Sequence, residues 1–235
     1  TVQYRESHLH FISRLLEEEG IYYYFDHTED QHKLVLCDDK TSHENEGEFP
    51  YMDPAAGAAA RRDFFRVWRQ AKHVRSAAFV VNDYDFFSPS ADLKEVRKSP
   101  LKHKHATFEH YEPFARYIQW GTDASATLAA RQVAETRLEE VQADQERIRG
   151  IGNVRALGPG MKFDLIEPPR PDMGQEYLVV RAEYALYQPG YDAASSGGGG
   201  QDEELYRIET VAQPSTHPFR PGRITPRPVI SGPHT

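Results

Sequence analysis

The sequence predicts a mainly β protein with inserted helices, built as an antiparallel β-barrel. Three observations carry this. About nine short segments are rich in β-branched and aromatic residues, many in alternation, as a pleated, half-buried surface requires. Thirteen Tyr and twelve Phe stand against three Met, an inventory suited to aromatic packing between strands. Polar and Gly/Pro turns join segments that are neighbours in the chain, which favours antiparallel pairing. A barrel is preferred to a sandwich because closure removes exposed strand edges.

The first helix begins after Ser7, whose hydroxyl can accept from an unpaired amide of the first turn. Leu9, Ile12 and Leu16, widened by Phe11 and Leu15, form its apolar face. Gly20 ends it, because glycine reaches the left-handed position without strain. Glu17, Glu18 and Glu19 lie at the end where the helix dipole favours cations. They are expected either to face water or to meet a basic surface. Ile21-Tyr22-Tyr23-Tyr24-Phe25 is then a strand. The polar run from Asp26 to His32 turns the chain, and Lys33 to Cys37 returns as the second arm of a hairpin.

Lys40 to Ala60 reads as a surface connection, with Pro50 and Pro54 opposing regular structure. Asp63 to Arg69 is a strand with no clean polar face, suited to burial between layers or against a partner chain. His73 to Phe87 reads as one long strand or a pair, Lys94 to Lys104 as a loop, and Ala106 to Tyr111 as a strand. A second helix runs from Ser125 to about Ala143, with Leu128, Ala130, Ala134, Leu138 and Val141 inward and Glu135, Arg137, Glu139 and Glu140 outward. Strands follow at Arg147–Gly152, Met161–Ile166, Tyr177–Tyr187 and Leu205–Val211. On the Tyr177–Tyr187 strand, Leu178, Val180, Ala182, Tyr184 and Leu186 share a face. Ser195 to Gly200 is a hairpin tip rich in glycine, and the Pro-rich tail from Pro214 reads as an extended linker. This divides the chain into a helix-plus-hairpin region (1–60), a discontinuous barrel with the helix near 125–143 (61–213), and a linker (214–235).

With 235 residues, the chain can bury one sizeable core or two small ones. A net charge of −8 argues against a general nucleic-acid binder, which needs a basic surface to displace counterions. Cys37 is the only cysteine, so no intrachain disulfide forms, and its apolar strand makes it a core residue rather than a nucleophile. No apolar run is long enough to span a bilayer, and no signal peptide is recognised. The start at Thr1 without a methionine is expected of a fragment.

His103, His105 and His110 form the one cluster with metal-like spacing, and they define a metal-dependent hydrolase as the enzymatic alternative. Lys102 and Lys104 disfavour a bound cation there, so an exposed strand edge is the preferred reading. His8 and His10 flank an apolar helix face and are expected at the surface. Asp38-Asp39 suits a turn, and neither it nor Asp83/Asp85 has the convergence a catalytic pair needs. No Gly-x-Ser-x-Gly elbow or phosphate loop is present. Tyr22 to Phe25 could be a platform for sugars or bases, but packing is preferred for so much apolar area. No catalytic, cofactor-binding or metal-binding residue is assigned, and no cofactor is expected.

The residues Gln3 to Ser7, Phe11 with Ser13-Arg14-Leu15, and Glu17 to Tyr22 resemble the VgrG family of the bacterial type VI secretion system. Leu34-Val35-Leu36 with Asp38-Asp39, Asn82 to Phe86, Pro89 to Leu93, Arg137 to Glu140, Gly150 to Asn153, Ala156 to Gly160, Glu176 to Val179 and Pro218 to Pro221 continue that pattern in order. The resemblance covers nearly the whole chain. It implies a phage tail hub-like region in which antiparallel barrels with helical inserts assemble as a homotrimer. It implies a structural part of the puncturing tip, not an enzyme, seated on the hexameric Hcp tube, carrying a spike and effector or adaptor proteins. Such an assembly pierces a target membrane without a transmembrane segment. It would be held in the bacterial cytoplasm before firing and then secreted by the type VI system. It further implies that a first barrel is missing before Thr1 and an oligonucleotide-binding-type barrel and spike after Thr235. A contractile-prophage baseplate hub of the same architecture is the alternative.

Overall fold

In the computed structural model, residues 1–53, 63–99, 107–117, 125–187 and 206–229 are described, the side chains of residues 125 and 126 excepted. Helix α1 spans His8–Glu19 and the hairpin strands are β1 (Tyr22–His27) and β2 (His32–Cys37). Strands β3 (Asn45–Pro50), β4 (Phe65–Lys72), β5 (Ala78–Val81), β6 (Glu95–Lys98) and β7 (Glu109–Glu112) precede helix α2 (Ser125–Ala143). Strands β8 (Glu146–Gly152), β9 (Lys162–Ile166), β10 (Glu176–Leu186) and β11 (Tyr206–Pro214) complete the chain.

Helix α1 forms for the reasons its ends supply. Ser7 Oγ accepts from the His10 amide at 3.2 Å. Gly20 has φ 74°. Its amide donates to the Glu17 carbonyl and the Ile21 amide to that of Leu16, the paired bonds of a Schellman cap. Gly20 is also required by proximity: a Cβ there would lie 2.3 Å from the Thr136 methyl on α2. The entry to α1 is fixed by Arg14, whose guanidinium makes a bidentate pair with Glu6 at 2.9 and 2.7 Å.

Six strands form the main sheet, in the order β3-β9-β10-β11-β8-β4. Its two outer strands meet beyond the end of β3, where Tyr51 bridges Phe65 and the Met52 amide donates to the Phe65 carbonyl at 2.8 Å. The sheet is therefore curled into a barrel-like arc. Bulges in β4 at Arg66 and in β10 at Val180 sharpen the bend. Inside it pack Phe65, Trp68, Ile148, Val154, Leu157, Phe163, Leu165, Tyr177, Val179 and Ile208. A smaller sheet, β6-β5-β7, packs Phe79 and Val81 against Ala130, Ala134 and Leu138 of α2.

Several expectations are corrected. Residues 45–50 are not part of a loop: they form β3, parallel to β9, with the register shift at Gly47 and with Pro50 at the strand end, where a missing amide is tolerated. The 73–87 segment holds one four-residue strand, and turns bonded through Asp83 and Asp85 follow it. Glu95–Lys98 is strand, not loop, because β5 supplies its backbone partners. Pairing is mainly antiparallel, but β3·β9 and β5·β7 are parallel. The β4 bulge resolves the strand with two apolar faces: it brings Phe65 and Trp68, three apart, to the same interior. On β10 the predicted face fails beyond the bulge, where Tyr184 and Leu186 are exposed, while Tyr177, Leu178 and Val179 are all buried. The glycine run 197–200 lies outside the described residues.

Candidate functional site

The β1–β2 hairpin has two unlike faces. Tyr22 pairs with Cys37 and Tyr24 with Val35 on the inner face; Tyr23 pairs with Leu36 and Phe25 with Leu34 on the outer one. Tyr22 and Cys37 are buried, whereas Tyr23, Phe25, Leu34 and Leu36 are 41%, 49%, 52% and 58% exposed. The four outer side chains make one contiguous apolar surface on a two-stranded ribbon.

The inner face rests on a closed polar network. His43 Nδ1 lies 2.7 Å from the Gly160 carbonyl, which only accepts, so Nδ1 carries the proton. His43 Nε2 then accepts from the Tyr22 hydroxyl at 2.6 Å. The Cys37 thiol lies 3.1 Å from the Asp39 carbonyl and 3.2 Å from the Tyr22 oxygen. Burial pushes the His43 pKa below 6.5, only partly offset by its Gly160 bond, and pushes the Tyr22 hydroxyl well above its usual range. A nucleophilic cysteine needs a histidine able to take its proton. Here the acceptor nitrogen is engaged by Tyr22 and stands 3.9 Å from Sγ, so the arrangement is packing, as expected for Cys37. Phe219 meets Tyr22 edge-on at 4.9 Å, and Gly160, at φ 88°, leaves no room for a side chain beneath Tyr24. A half-open apolar cleft of about 380 Å³ adjoins this junction, lined by Leu16, Ile21, Leu178, Phe219 and Ile224 among others.

The acidic end of α1 is clamped by arginines. Glu17 is buried, and its carboxylate accepts from the Thr225 amide and hydroxyl at 2.9 and 2.7 Å. Arg137, buried on α2, donates to the carbonyls of Glu17 and Glu18 at 3.3 and 2.7 Å and to Glu140 at 3.0 Å. Arg220 reaches Glu139, the Gly20 carbonyl and the Asp38 carbonyl at 2.7, 3.1 and 2.7 Å. Arg223 forks onto Glu112 at 2.7 and 3.0 Å, and Arg227 pairs with Glu18 at 2.7 Å. These cations supply what the helix dipole lacks at that end. Burial would raise the Glu112 pKa, but the Arg223 bond and charge outweigh it and hold it below 4.5. Burial lowers the Arg137 pKa, with the Arg223 charge acting in the same direction.

Three expectations therefore change. The partners belong to the same chain: Arg227 meets the Glu18 carboxylate, whereas the buried Glu17 carboxylate is held by Thr225 and only its carbonyl by Arg137. Residues 214–227 are a packed strap over α1 and α2, not a free linker, and Arg137 points inward, not out. The sequence reading missed Arg220, Arg223, Thr225, Arg227 and His43. Arginines recurring every three or four positions among prolines, opposite a run of three glutamates, were the available signal.

His103 and His105 lie outside the described residues. His110 is on β7, stacked on Phe79 at 4.8 Å. Among the described residues no group of three or more His, Cys, Asp or Glu is placed to hold a metal. Asp39 accepts from the Thr41 amide at 2.6 Å in a turn; the Thr41 hydroxyl first, and then this amide bond, lower its pKa. His8 is exposed beside Gln3, and His10 is exposed and donates its amide to Ser7. No described helix is long and apolar enough to cross a membrane.

The sequence profile of the phage tail baseplate hub (GPD) family matches residues 1–190. The chain belongs to that family. It is 41% identical over its whole length to the type VI secretion system spike protein VgrG1a of Pseudomonas aeruginosa and 38% identical to VgrG1b of the same organism. It spans 35% and 30% of those proteins, about a third of their length. It is 26% identical over 99% of its length to the actin cross-linking toxin VgrG1 of Vibrio cholerae, of which it spans 20%. Among solved structures, the E. coli c3393 protein superposes with TM-score 0.60 at 16% identity, covering 99% of this chain and 44% of that one. That protein is described as a component of the type VI secretion system similar in structure to the T4 tail proteins gp27 and gp5. A Neisseria meningitidis tail protein superposes with TM-score 0.58 at 11% identity, covering 90% of this chain and 56% of that one. These likenesses agree with the hub fold that the sequence predicted.

Proposed function

We propose that this hub-family chain is a structural, non-enzymatic part of a type VI secretion tip. In that role it is a homotrimer, sits on the hexameric Hcp tube, and carries a spike with effector or adaptor proteins. The observation that carries this reading is the 41% identity to the VgrG1a spike protein over the full length of the chain. The physical design is compatible with load bearing. The strap is tied to α1, the hairpin and α2 by long-range contacts of Arg220 with Gly20, Asp38 and Glu139, so force applied at the strap reaches both helices. The exposed hairpin face of Tyr23, Phe25, Leu34 and Leu36 suits burial against another protomer. The protein is held in the bacterial cytoplasm until firing and then leaves with the tip. A contractile-prophage hub shares the fold; the sequence identity to the spike proteins favours the secretion reading.

Light scattering on the full-length gene product, followed by co-elution with purified Hcp, tests this. A trimer that retains an Hcp hexamer is expected. A strict monomer at tens of micromolar that does not bind Hcp overturns it. A neighbouring tail-sheath gene of phage type, with Hcp binding absent, would transfer the reading to the prophage hub.

A further inference from the structure

We propose that His27 and His32 form a two-histidine metal site at the tip of the β1–β2 hairpin, suited to a divalent first-row cation of tetragonal preference, Cu²⁺ or Ni²⁺. The pair is the last cross-strand position of the hairpin, so the two side chains leave the same face at the same height. Their Nδ1 atoms are 2.7 Å apart and their ring centroids 4.9 Å apart. Phe25 stacks on the His27 ring at 6.1 Å, which limits how far that ring swings. The Thr28 amide donates to the Gln31 carbonyl at 2.9 Å and the Gln31 amide to Thr28 Oγ1 at 3.2 Å, so the turn that sets the spacing is itself bonded.

The 2.7 Å separation is that of a hydrogen bond between the rings, and a small turn of both exposed side chains brings the two Nδ1 atoms to the roughly 2.9–3.3 Å at which they ligate one ion. Donor chemistry selects the metal: two imidazoles with water at the remaining positions suit a tetragonal ion, and affinity along the first row peaks at Cu²⁺. Without metal, one imidazole donates from Nδ1 and the other accepts. On binding, the donor ring moves its proton to its Nε2 through water, and both Nδ1 lone pairs turn toward the ion. The neutral pair thereby neither gains nor loses a proton, and no electron is transferred. No third described ligand is grouped with them, so water fills the remaining positions. The bound ion staples the two strand ends across the turn.

Titration of the whole chain with CuSO₄ and with NiCl₂, followed by electron paramagnetic resonance for copper and calorimetry for both, tests the site. One ion per chain is expected, with a tetragonal copper spectrum split by two nitrogens. Amides of Thr28 to Gln31 should gain exchange protection. Loss of an outer-shell partner alone costs 10–100-fold in metal affinity, so H27A or H32A, each replacing an exposed ligand, should weaken binding about 100-fold. H103A/H105A should leave it unchanged. Binding that survives in H27A/H32A, or that no more than matches free imidazole, overturns the site. Zn²⁺ binding tighter than Ni²⁺ overturns the tetragonal assignment.

Discussion

The interior of the curled sheet and the corner where α1, α2 and the strap meet both take side chains out of water, but by different means. In the sheet, Phe65, Trp68, Phe163 and Tyr177 stack and meet edge-on with centroids 4.9–6.0 Å apart. Their contribution is apolar area and ring geometry, and it is insensitive to salt and pH. In the corner the buried groups are Glu17 and Arg137, and each is tolerated only because its partners are in place. The difference teaches that the sheet is stable by content and the corner by arrangement. Replacing a partner in the corner leaves a polar group stranded; trimming a ring in the sheet leaves a void.

The largest effect is expected from the sheet. Phe163 is fully buried and touches Phe65, Trp68 and Tyr177. F163A should destabilise by about 3–5 kcal/mol in urea unfolding, through lost transfer energy and an unfilled cavity. A loss below about 1 kcal/mol would mean that the sheet collapses around the gap and is not held by its rings.

The corner comes next. R137M keeps an apolar stem but strands the Glu18 carbonyl and removes one of the two donors to that of Glu17, which retains the Gly20 amide, so it should cost about 2 kcal/mol, much as R137A does. A neutral R137M would erase the contrast, because the corner would then be packed as the sheet is. R137K should recover little, since an ammonium cannot fork across the three acceptors that Arg137 reaches.

Acid weakens the hairpin base and the corner in the same direction but in different pH windows. The His43 pKa is lowered in the fold, so the unfolded chain binds more protons once the pH drops below 6.5. The stability of the hairpin base is full above that value and falls below it. The Glu112 pKa is lowered from 4.5, so the Arg223 clasp contributes fully above 4.5 and fades as the pH falls further. Hydrogen exchange should show hairpin and strap amides losing protection before those of β8 and β11. H43Q should remove the first step and leave the second. Simultaneous loss everywhere would mean that the two regions are one cooperative unit.

What could be read from the sequence follows the same division. Alternation and ring content identified β8, β9 and β10, and the cap residues Ser7 and Gly20 fixed α1, because each signal is local. β3 was missed because its backbone partner β9 is distant in sequence, and β6 because three of its own four residues are charged. The polar side of α2 was misassigned at Arg137, since periodicity ranks an arginine outward whatever lies opposite it. The strap was hidden for a related reason: prolines mark an extended chain, and an extended chain becomes a packed one only through contacts far along the sequence. The hairpin faces were half legible. The tyrosines were seen as packing surface, but which of them turn outward depended on the register that the turn at Thr28–Gln31 sets.

The smallest effect is expected where the corner meets water, and it decides how much of the α1 glutamate run is structural. Arg227 and Glu18 pair at 2.7 Å with side chains 46% and 33% exposed, so solvent screens them. A double-mutant cycle with E18Q and R227Q should give a coupling of about 0.5 kcal/mol that vanishes in molar salt. E19K, at an exposed position, should change nothing. E17Q should be the most damaging of the three, because Glu17 is buried and holds the Thr225 amide and hydroxyl together. Equal effects at all three positions would show that the run acts as a diffuse negative surface. A graded response in the order Glu17, Glu18, Glu19 would show instead that the strap reads each residue separately, with burial setting the scale of each contact.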